Sequence, residues 1–323
     1  MQKSALFLIL SVCFVLFCGR PETPDNIHNY RLMDVCSLPG YAVDIDIKSD
    51  YAYIANEQGG LQIVNISNPE SLYIAGSYIS EKSVVGVAVR DTFAYLAIAH
   101  SQGGLRILNI SRLDQIIFVG EDNWYYAYDV VAPGSDTAFT YMAGGYWFVV
   151  EDVRYPQYPS FVRRFSTPGN AHGIWVGESL VYIACEQMGV HIFDLSNPDS
   201  TALISWIDTP SNARNLWVDG EYLYVADGRS GLVVIDISSP DNPQTVSVFD
   251  TPDYANAVMV NSGLAYIADG AGGLIVIDVT DPASPELCGE YDTPYANSVF
   301  IQDSIIWVAD RDQGLLAIIE EQE

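Results

Sequence analysis

The chain has 323 residues, 49% of them hydrophobic, and a mean hydropathy of +0.14. That is enough apolar material for one large domain or two ordinary ones, and too much for a disordered chain. Lys and Arg number 14 against 41 Asp and Glu, a formal charge of −27, which excludes a nucleic-acid binder, since neutralising phosphates needs a basic face, and argues against docking on anionic lipid.

At the N-terminus, Lys3 precedes an apolar stretch, Ala5 to Phe17, interrupted only by Ser11. It is short for a membrane span and has the length of a signal-peptide core. Residues 1–17 are therefore expected to direct export and be removed, with an uncleaved anchor as the alternative. Cys18 follows, then a polar run from Gly19 to Asn26. This arrangement resembles a bacterial lipoprotein signal, in which the Cys is lipidated and a flexible tether follows, here residues 18–30. Val15 suits that pattern. Phe17 departs from it, because the position before the Cys takes a small residue. The resemblance implies a lipid on Cys18 and a place in the cell envelope or on its surface; without the lipid the chain is secreted or periplasmic. Cys36, Cys185 and Cys288 show no metal-type spacing and read as unpaired buried residues, with a Cys36–Cys288 bridge as the alternative.

Residues 31–320 hold one unit copied seven times, followed by a tail at 321–323. Pro168, Pro210, Pro252 and Pro294 are 42 residues apart, as are Asp194, Asp236 and Asp278. Units begin near Tyr41, Ser83, Tyr125, Gly169, Ser211, Asp253 and Tyr295. The sixth shows the plan: four β-like runs, Ala257–Val260, Leu264–Ala268, Leu274–Val279 and Glu286–Tyr291, separated by Gly-, Asp- and Pro-rich breakers. Four strands in about 42 residues is the pitch of a β-propeller blade. The seventh unit lacks its fourth strand, while an orphan run, Leu32–Leu38, precedes the first unit. The expected fold is therefore an all-β, seven-bladed propeller with four antiparallel strands per blade. Its last blade is completed by the N-terminal strand, which removes the open edge a linear array would leave.

The runs Gly273-Leu274-Ile275-Val276-Ile277-Asp278-Val279 and Gly231-Leu232-Val233-Val234-Ile235-Asp236-Ile237 resemble the LVIVD-repeat family. So do Asp281-Pro282-Ala283-Ser284-Pro285 and Asp292-Thr293-Pro294. The third unit departs: it shortens the turn before Tyr146-Trp147-Phe148 and carries Tyr155-Pro156-Gln157-Tyr158-Pro159 in place of the usual turn. The resemblance implies an exported, surface-associated bacterial or archaeal propeller, and it carries no catalytic residues.

Two groups of residues are candidates for chemistry. Asp227, Asp269 and Asp310, with Asn56, recur at the end of the second strand. An oxygen-rich ring of this kind could hold calcium; equally, Asp and Asn stabilise turns by bonding nearby amides. The other group is unrepeated. Projected onto the axis, the first strands place Val43, Val85, Tyr128, His172, Arg214, Asn256 and Asn297 at the channel mouth. Below them come Asp44, Gly86, Asp129, Gly173, Asn215, Ala257 and Ser298, and deeper Asp46, Ala88, Val131, Trp175, Trp217, Met259 and Phe300. An axial funnel of Asp44, Asp129, His172, Arg214, Asn215, Asn256 and Asn297, with Trp175 and Trp217 beneath, is the expected ligand site. His172 and Arg214 read as a basic pair for an anion, or Arg214 as the counter-charge of Asp44 or Asp129.

No Gly-x-Ser-x-Gly elbow, His-Glu-x-x-His or phosphate loop is present. The reading is a monomeric, non-enzymatic scaffold for a protein or glycan at the cell surface, touching membrane only through the N-terminal lipid. The alternatives are an exported hydrolase or lyase using the funnel, and a calcium-stabilised envelope module.

Overall fold

The computed structural model describes residues 28–123, 126–134, 138–196 and 202–321. The signal segment, Cys18 and residues 19–27 of the tether lie outside the described residues.

Each repeat unit folds as a meander of four antiparallel strands, because its breakers are short and its runs alternate. The chain enters with β1 (Tyr30–Cys36). Blade 1 is β2 (Asp44–Lys48), β3 (Tyr51–Ala55), β4 (Leu61–Asn65) and β5 (Tyr73–Tyr78). Blade 2 is β6 (Val84–Arg90), β7 (Phe93–Ile98), β8 (Gly104–Asn109) and β9 (Ile117–Asn123). Blade 3 is β10 (Asp129–Val131), β11 (Phe139–Gly144), β12 (Trp147–Asp152) and β13 (Ser160–Ser166). Blade 4 is β14 (Gly173–Val176), β15 (Leu180–Ala184), β16 (Val190–Asp194) and β17 (Ala202–Ile207). Blade 5 is β18 (Asn215–Asp219), β19 (Tyr222–Ala226), β20 (Leu232–Asp236) and β21 (Gln244–Phe249). Blade 6 is β22 (Ala257–Asn261), β23 (Leu264–Ala268), β24 (Leu274–Asp278) and β25 (Glu286–Tyr291). Blade 7 is β26 (Ala296–Gln302), β27 (Ile305–Asp310) and β28 (Gly314–Glu320), completed by β1. The protein is an all-β, seven-bladed propeller, as the repeat predicts.

The ring closes as expected, with β1 antiparallel to β28 from Tyr30 opposite Glu320 to Cys36 opposite Leu315. The closing strand sits slightly N-terminal to the predicted Leu32–Leu38, and it bulges between Leu32 and Asp34. Ordered contacts begin before residue 31. His28 N donates to Cys288 O at 2.7 Å, and its ring meets Glu320. Cys36, Cys185 and Cys288 are all free and buried, so no Cys36–Cys288 bridge forms.

The core lies in the seams between blades. At each seam the second and third strands of adjacent sheets interleave Val, Ile, Leu and Ala, as in the cluster of Val234, Ile267 and Ile277 between blades 5 and 6. Turns are fixed by local capping: the Asp or Asn ending the third strand accepts an amide two residues on. Asn109 does so from Ser111, Asp236 from Ser238 and Asp278 from Thr280.

Candidate functional site

The inner strand of each blade has one edge facing the axis, so its outer side chains and unpaired amides both look toward the channel. Two connected spaces result. The mouth, about 80 Å³, is lined by Val43, Val85, Tyr128, His172, Arg214, Asn256 and Asn297 above Asp44, Asp129, Asn215, Ala257 and Ser298. The deeper chamber, about 300 Å³, has those last five residues as its ceiling and Asp46, Trp175, Trp217, Met259 and Phe300 on its walls. The predicted columns therefore converge on the axis in the predicted order.

The ceiling is a constriction built from inter-blade bonds. Asp44 Oδ2 accepts from Val87 N at 3.0 Å, Asp129 Oδ2 from Ile174 N at 2.9 Å and Asn215 Oδ1 from Val258 N at 3.2 Å. Ser298 Oγ donates to Asp44 at 3.1 Å. Glycine fills the same position in blades 2 and 4 because the next inner strand lies against it. A Cβ at Gly173 would stand 2.5 Å from Arg214 O. Burial holds the Asp44 and Asp129 carboxyls well above the usual carboxylate range, and the Asp44 charge pushes Asp129 further. Burial lifts Asp46, one turn of the pleat deeper, to about 6.

The mouth is less basic than its sequence suggests. His172 and Arg214 do lie side by side, but the imidazole Nδ1 contacts Arg214 O at 3.2 Å and the ring stacks on Tyr128 at 5.4 Å and 4°. Burial, aided by the Arg214 charge, pushes the His172 pKa down to about 3. The expected basic pair is thus one cation beside a neutral imidazole. Nor is Arg214 the counter-charge of Asp44 or Asp129: its Nη1 faces Glu186 at 3.5 Å, and its Nε is buried without a partner among the described residues. Asn256 and Asn297 are tied down, donating to Ala296 O at 3.0 Å and Ala42 O at 2.7 Å. Trp175 and Trp217 each combine two roles, lining the chamber and packing in a seam; Trp175 meets Tyr182 edge-on at 5.9 Å.

Glu186 is the residue that sequence reasoning missed. It also accepts from Asn170 Nδ2 at 3.0 Å. Its signal lay in the repeat: it occupies a left-handed turn position, φ 48°, where blades 5 and 6 carry Gly228 and Gly270.

The recurring carboxylates serve the turns. Asp227 accepts from Thr209 Oγ1 at 2.6 Å and Ser211 N at 2.7 Å, and Asp269 from Thr251 Oγ1 at 2.5 Å and Asp253 N at 2.8 Å. Asp310 accepts from Tyr295 N at 2.7 Å. Each staples the link entering its blade to the hairpin beneath it. Among the described residues, no three His, Cys, Asp or Glu converge to hold a metal ion.

These features define a class: a closed seven-bladed propeller with a constricted, acid-and-aromatic axial channel. Within it, the chain belongs to the LVIVD-repeat family, whose repeat matches residues 39–80, 168–209, 210–251 and 252–293, just over half of the chain. Blades 2, 3 and 7 keep the architecture outside those matches. Compared with the curated proteins, the chain shows no significant similarity to any. Among solved structures it is similar to the crystal structure of the computationally designed Ika8 protein. The TM-score is 0.63 at 8% identity, covering 89% of this chain and 99% of that one. At that identity the likeness concerns the fold alone.

Proposed function

We propose that the chain is exported, held at the cell surface through a lipid on Cys18, and acts as a non-enzymatic scaffold binding a protein or glycan at the axial mouth. The observation that carries this reading is Arg214. It is one of 14 basic residues against 41 acidic ones, nothing in the repeat demands it, and its Nε–H finds no acceptor among the described residues. A buried donor left unmade costs free energy, so an incoming carboxylate, carbonyl or sugar hydroxyl would relieve it. Around it, Asn256, Asn297 and His172 are already held by the next blade, so little side-chain entropy is lost on binding. The neutral, stacked His172 is a poor general base, which favours recognition over hydrolysis.

Two measurements test the reading. Neutral and uronate-containing oligosaccharides and carboxylate-ended peptides are titrated against the mature chain and against Arg214→Ala and Trp217→Ala. Lost affinity at unchanged Tm supports the mouth as the site; lowered Tm with affinity retained retires it. Fractionation of cells carrying Cys18→Ala should move the protein from membranes to the soluble exported fraction. Retention of Met1 on a cytoplasmic chain would overturn the export reading.

A further inference from the structure

The face of the ring opposite the mouth is uneven. Inner strands descend from the mouth and second strands rise, so third strands descend again. The turns after them and the starts of the outer strands therefore share this lower face. The two outer-strand residues opposite the end of the third strand are Tyr73-Ile74, Ile117-Phe118, Ser160-Phe161 and Ala202-Leu203 in blades 1 to 4. In blades 5, 6 and 7 they are Gln244-Thr245, Glu286-Leu287 and Arg31-Leu32. Tyr73, Ile74, Ile117, Phe118, Phe161 and Leu203 are all exposed. In the other three blades Leu287 is half-buried and Leu32 stands beside the exposed Arg31, so the apolar arc is continuous only over blades 1 to 4.

Blade 3 carries the most prominent point of the arc. The turn before the outer strand has one form in the five blades where it is described: the amide of its fourth residue donates to the carbonyl of its first. Ser71 bonds Asn68, Gln115 bonds Arg112, Tyr158 bonds Tyr155, Asn242 bonds Ser239 and Ser284 bonds Asp281, at 2.7 to 3.1 Å. Four of these turns use polar residues at both positions. Blade 3 uses Tyr155 and Tyr158, 72% and 81% exposed, so the turn itself does not require the rings. Pro156 fixes the backbone between them. The turn is seated on blade 2, where a Cβ at Gly120 would stand 2.4 Å from Pro156 O. Two rings held out on a fixed turn suit a surface laid over them rather than a ligand enclosed by them.

Charge sorts the same way. On this outer lower edge, Arg112 of blade 2 pairs with Asp114 at 2.7 Å and Arg154 of blade 3 with Asp152 at 2.5 Å, so each pair is neutral; blade 1 adds Glu70. Blades 5 and 6 carry Asp236, Asp241, Asp278, Asp281 and Glu286 there, none ion-paired among the described residues. The chain also enters on this face, because Tyr30 at the start of β1 stands opposite Glu320 at the lower end of β28. The ten residues from Cys18 to Ile27 span at most ~36 Å, so a lipid on Cys18 would keep the lower face close to a bilayer. Tyr and Phe with Arg beside them are the side chains that settle among lipid headgroups.

We propose that the outer lower edge of blades 1 to 4 rests in the headgroup region of a zwitterionic bilayer, with Tyr155 and Tyr158 inserted, so that the propeller sits on the membrane with its mouth turned away from it. This contact is additional to the N-terminal lipid, and the choice of a bilayer as occupant rests on the lipid anchor proposed above. Anionic lipid is the poorer surface, since it repels a chain of net charge −27. The arc binds weakly alone, and the anchor makes its contact effective by holding the bilayer nearby.

Co-sedimentation with phosphatidylcholine vesicles tests the arc apart from the anchor when the mature chain carries Cys18→Ser and cannot be lipidated. At millimolar lipid a measurable fraction should sediment with the vesicles. Tyr155→Asn with Tyr158→Ser, the residues blade 1 uses in the same turn, should lower the partition coefficient by roughly tenfold at unchanged Tm, the loss expected when two part-inserted rings leave an interface. Val248→Ser, which removes an exposed apolar side chain from blade 5, should leave partition level. Phosphatidylglycerol vesicles should bind less of the chain than phosphatidylcholine vesicles at low salt. Absence of partition, an undiminished value in the double variant, an equal fall in Val248→Ser, or a preference for phosphatidylglycerol overturns the proposal. So does a dimer in sedimentation velocity that the double variant abolishes, which would assign the arc to a second copy of the chain. Should the turn variant fail to fold, Tyr73→Gln with Ile117→Gln, the residue blade 5 carries at that position, decides alone. No lipid is attached in these measurements, so their failure leaves the Cys18 anchor standing, and an unlipidated Cys18 in cells overturns the anchor without deciding the arc.

Discussion

Replacing Asp129 by Asn separates the charge at the axial constriction from the bond it makes. Asp129 Oδ2 accepts from Ile174 N at 2.9 Å, and Asn215 does the same for Val258 N at 3.2 Å without a charge. The Asp129→Asn side chain would therefore keep the tie between blades 3 and 4 through its carbonyl oxygen. It would give up the bond from Val130 N, now 2.7 Å long, at a cost of roughly 1 kcal/mol. It would also remove a buried carboxylate whose pKa stands above the unfolded value through burial and the neighbouring Asp44. Between those two values the folded chain binds more protons than the unfolded one, so stability is lost as pH rises from the unfolded pKa through the folded one. Asp46 sets the scale: lifted to about 6 by the same burial, it represents about 3 kcal/mol for a dry site, and about half that for a carboxyl facing an open channel. Asp129→Asn should thus leave Tm level or slightly lower near pH 4.5. Near pH 8.5 it should raise Tm by roughly 2–4 °C for each net kcal/mol gained. Calorimetry of both proteins across this range checks it. A Tm difference that is constant with pH, or larger at the acid end, refutes the reasoning. Adding Asp44→Asn should give less than the sum of the two single effects, because either substitution relieves the same repulsion.

Deleting residues 28–37 strips β1 from β28, and the bared edge should cause aggregation or a large fall in Tm; a soluble chain with unchanged melting would refute closure by the N-terminal strand. Asp269→Ala leaves Thr251 Oγ1 and the Asp253 amide unmade and should cost roughly 2–4 kcal/mol in denaturant unfolding. In blade 1 the staple is broken naturally: Leu38 stands where Thr209 and Thr251 stand, and both side-chain polar atoms of Asn56 are buried without partners among the described residues. Leu38→Thr with Asn56→Asp should therefore stabilise by roughly 1 kcal/mol. Because Asp227, Asp269 and Asp310 already accept protein donors, millimolar calcium should leave Tm where a chelator leaves it; a rise of several degrees would restore the calcium-stabilised reading.

The fold was legible in the sequence because both of its periods are local. Alternation within a run fixes which side chains share a face, and the 42-residue repeat fixes which positions share a radius and depth. Blade number, closure by β1 and the order of the axial columns from Val43 to Phe300 all follow from those two periods. What only the tertiary structure decided involves groups that different blades bring together. Arg214 turned to Glu186, 28 residues earlier, and away from the axial acids. His172 became neutral because burial, with the Arg214 charge beside it, disfavours the protonated imidazole. A repeat specifies where each Cβ stands on the ring, but ionisation and pairing depend on side-chain direction, desolvation and the charge facing each group, and those exist only once neighbouring blades have packed.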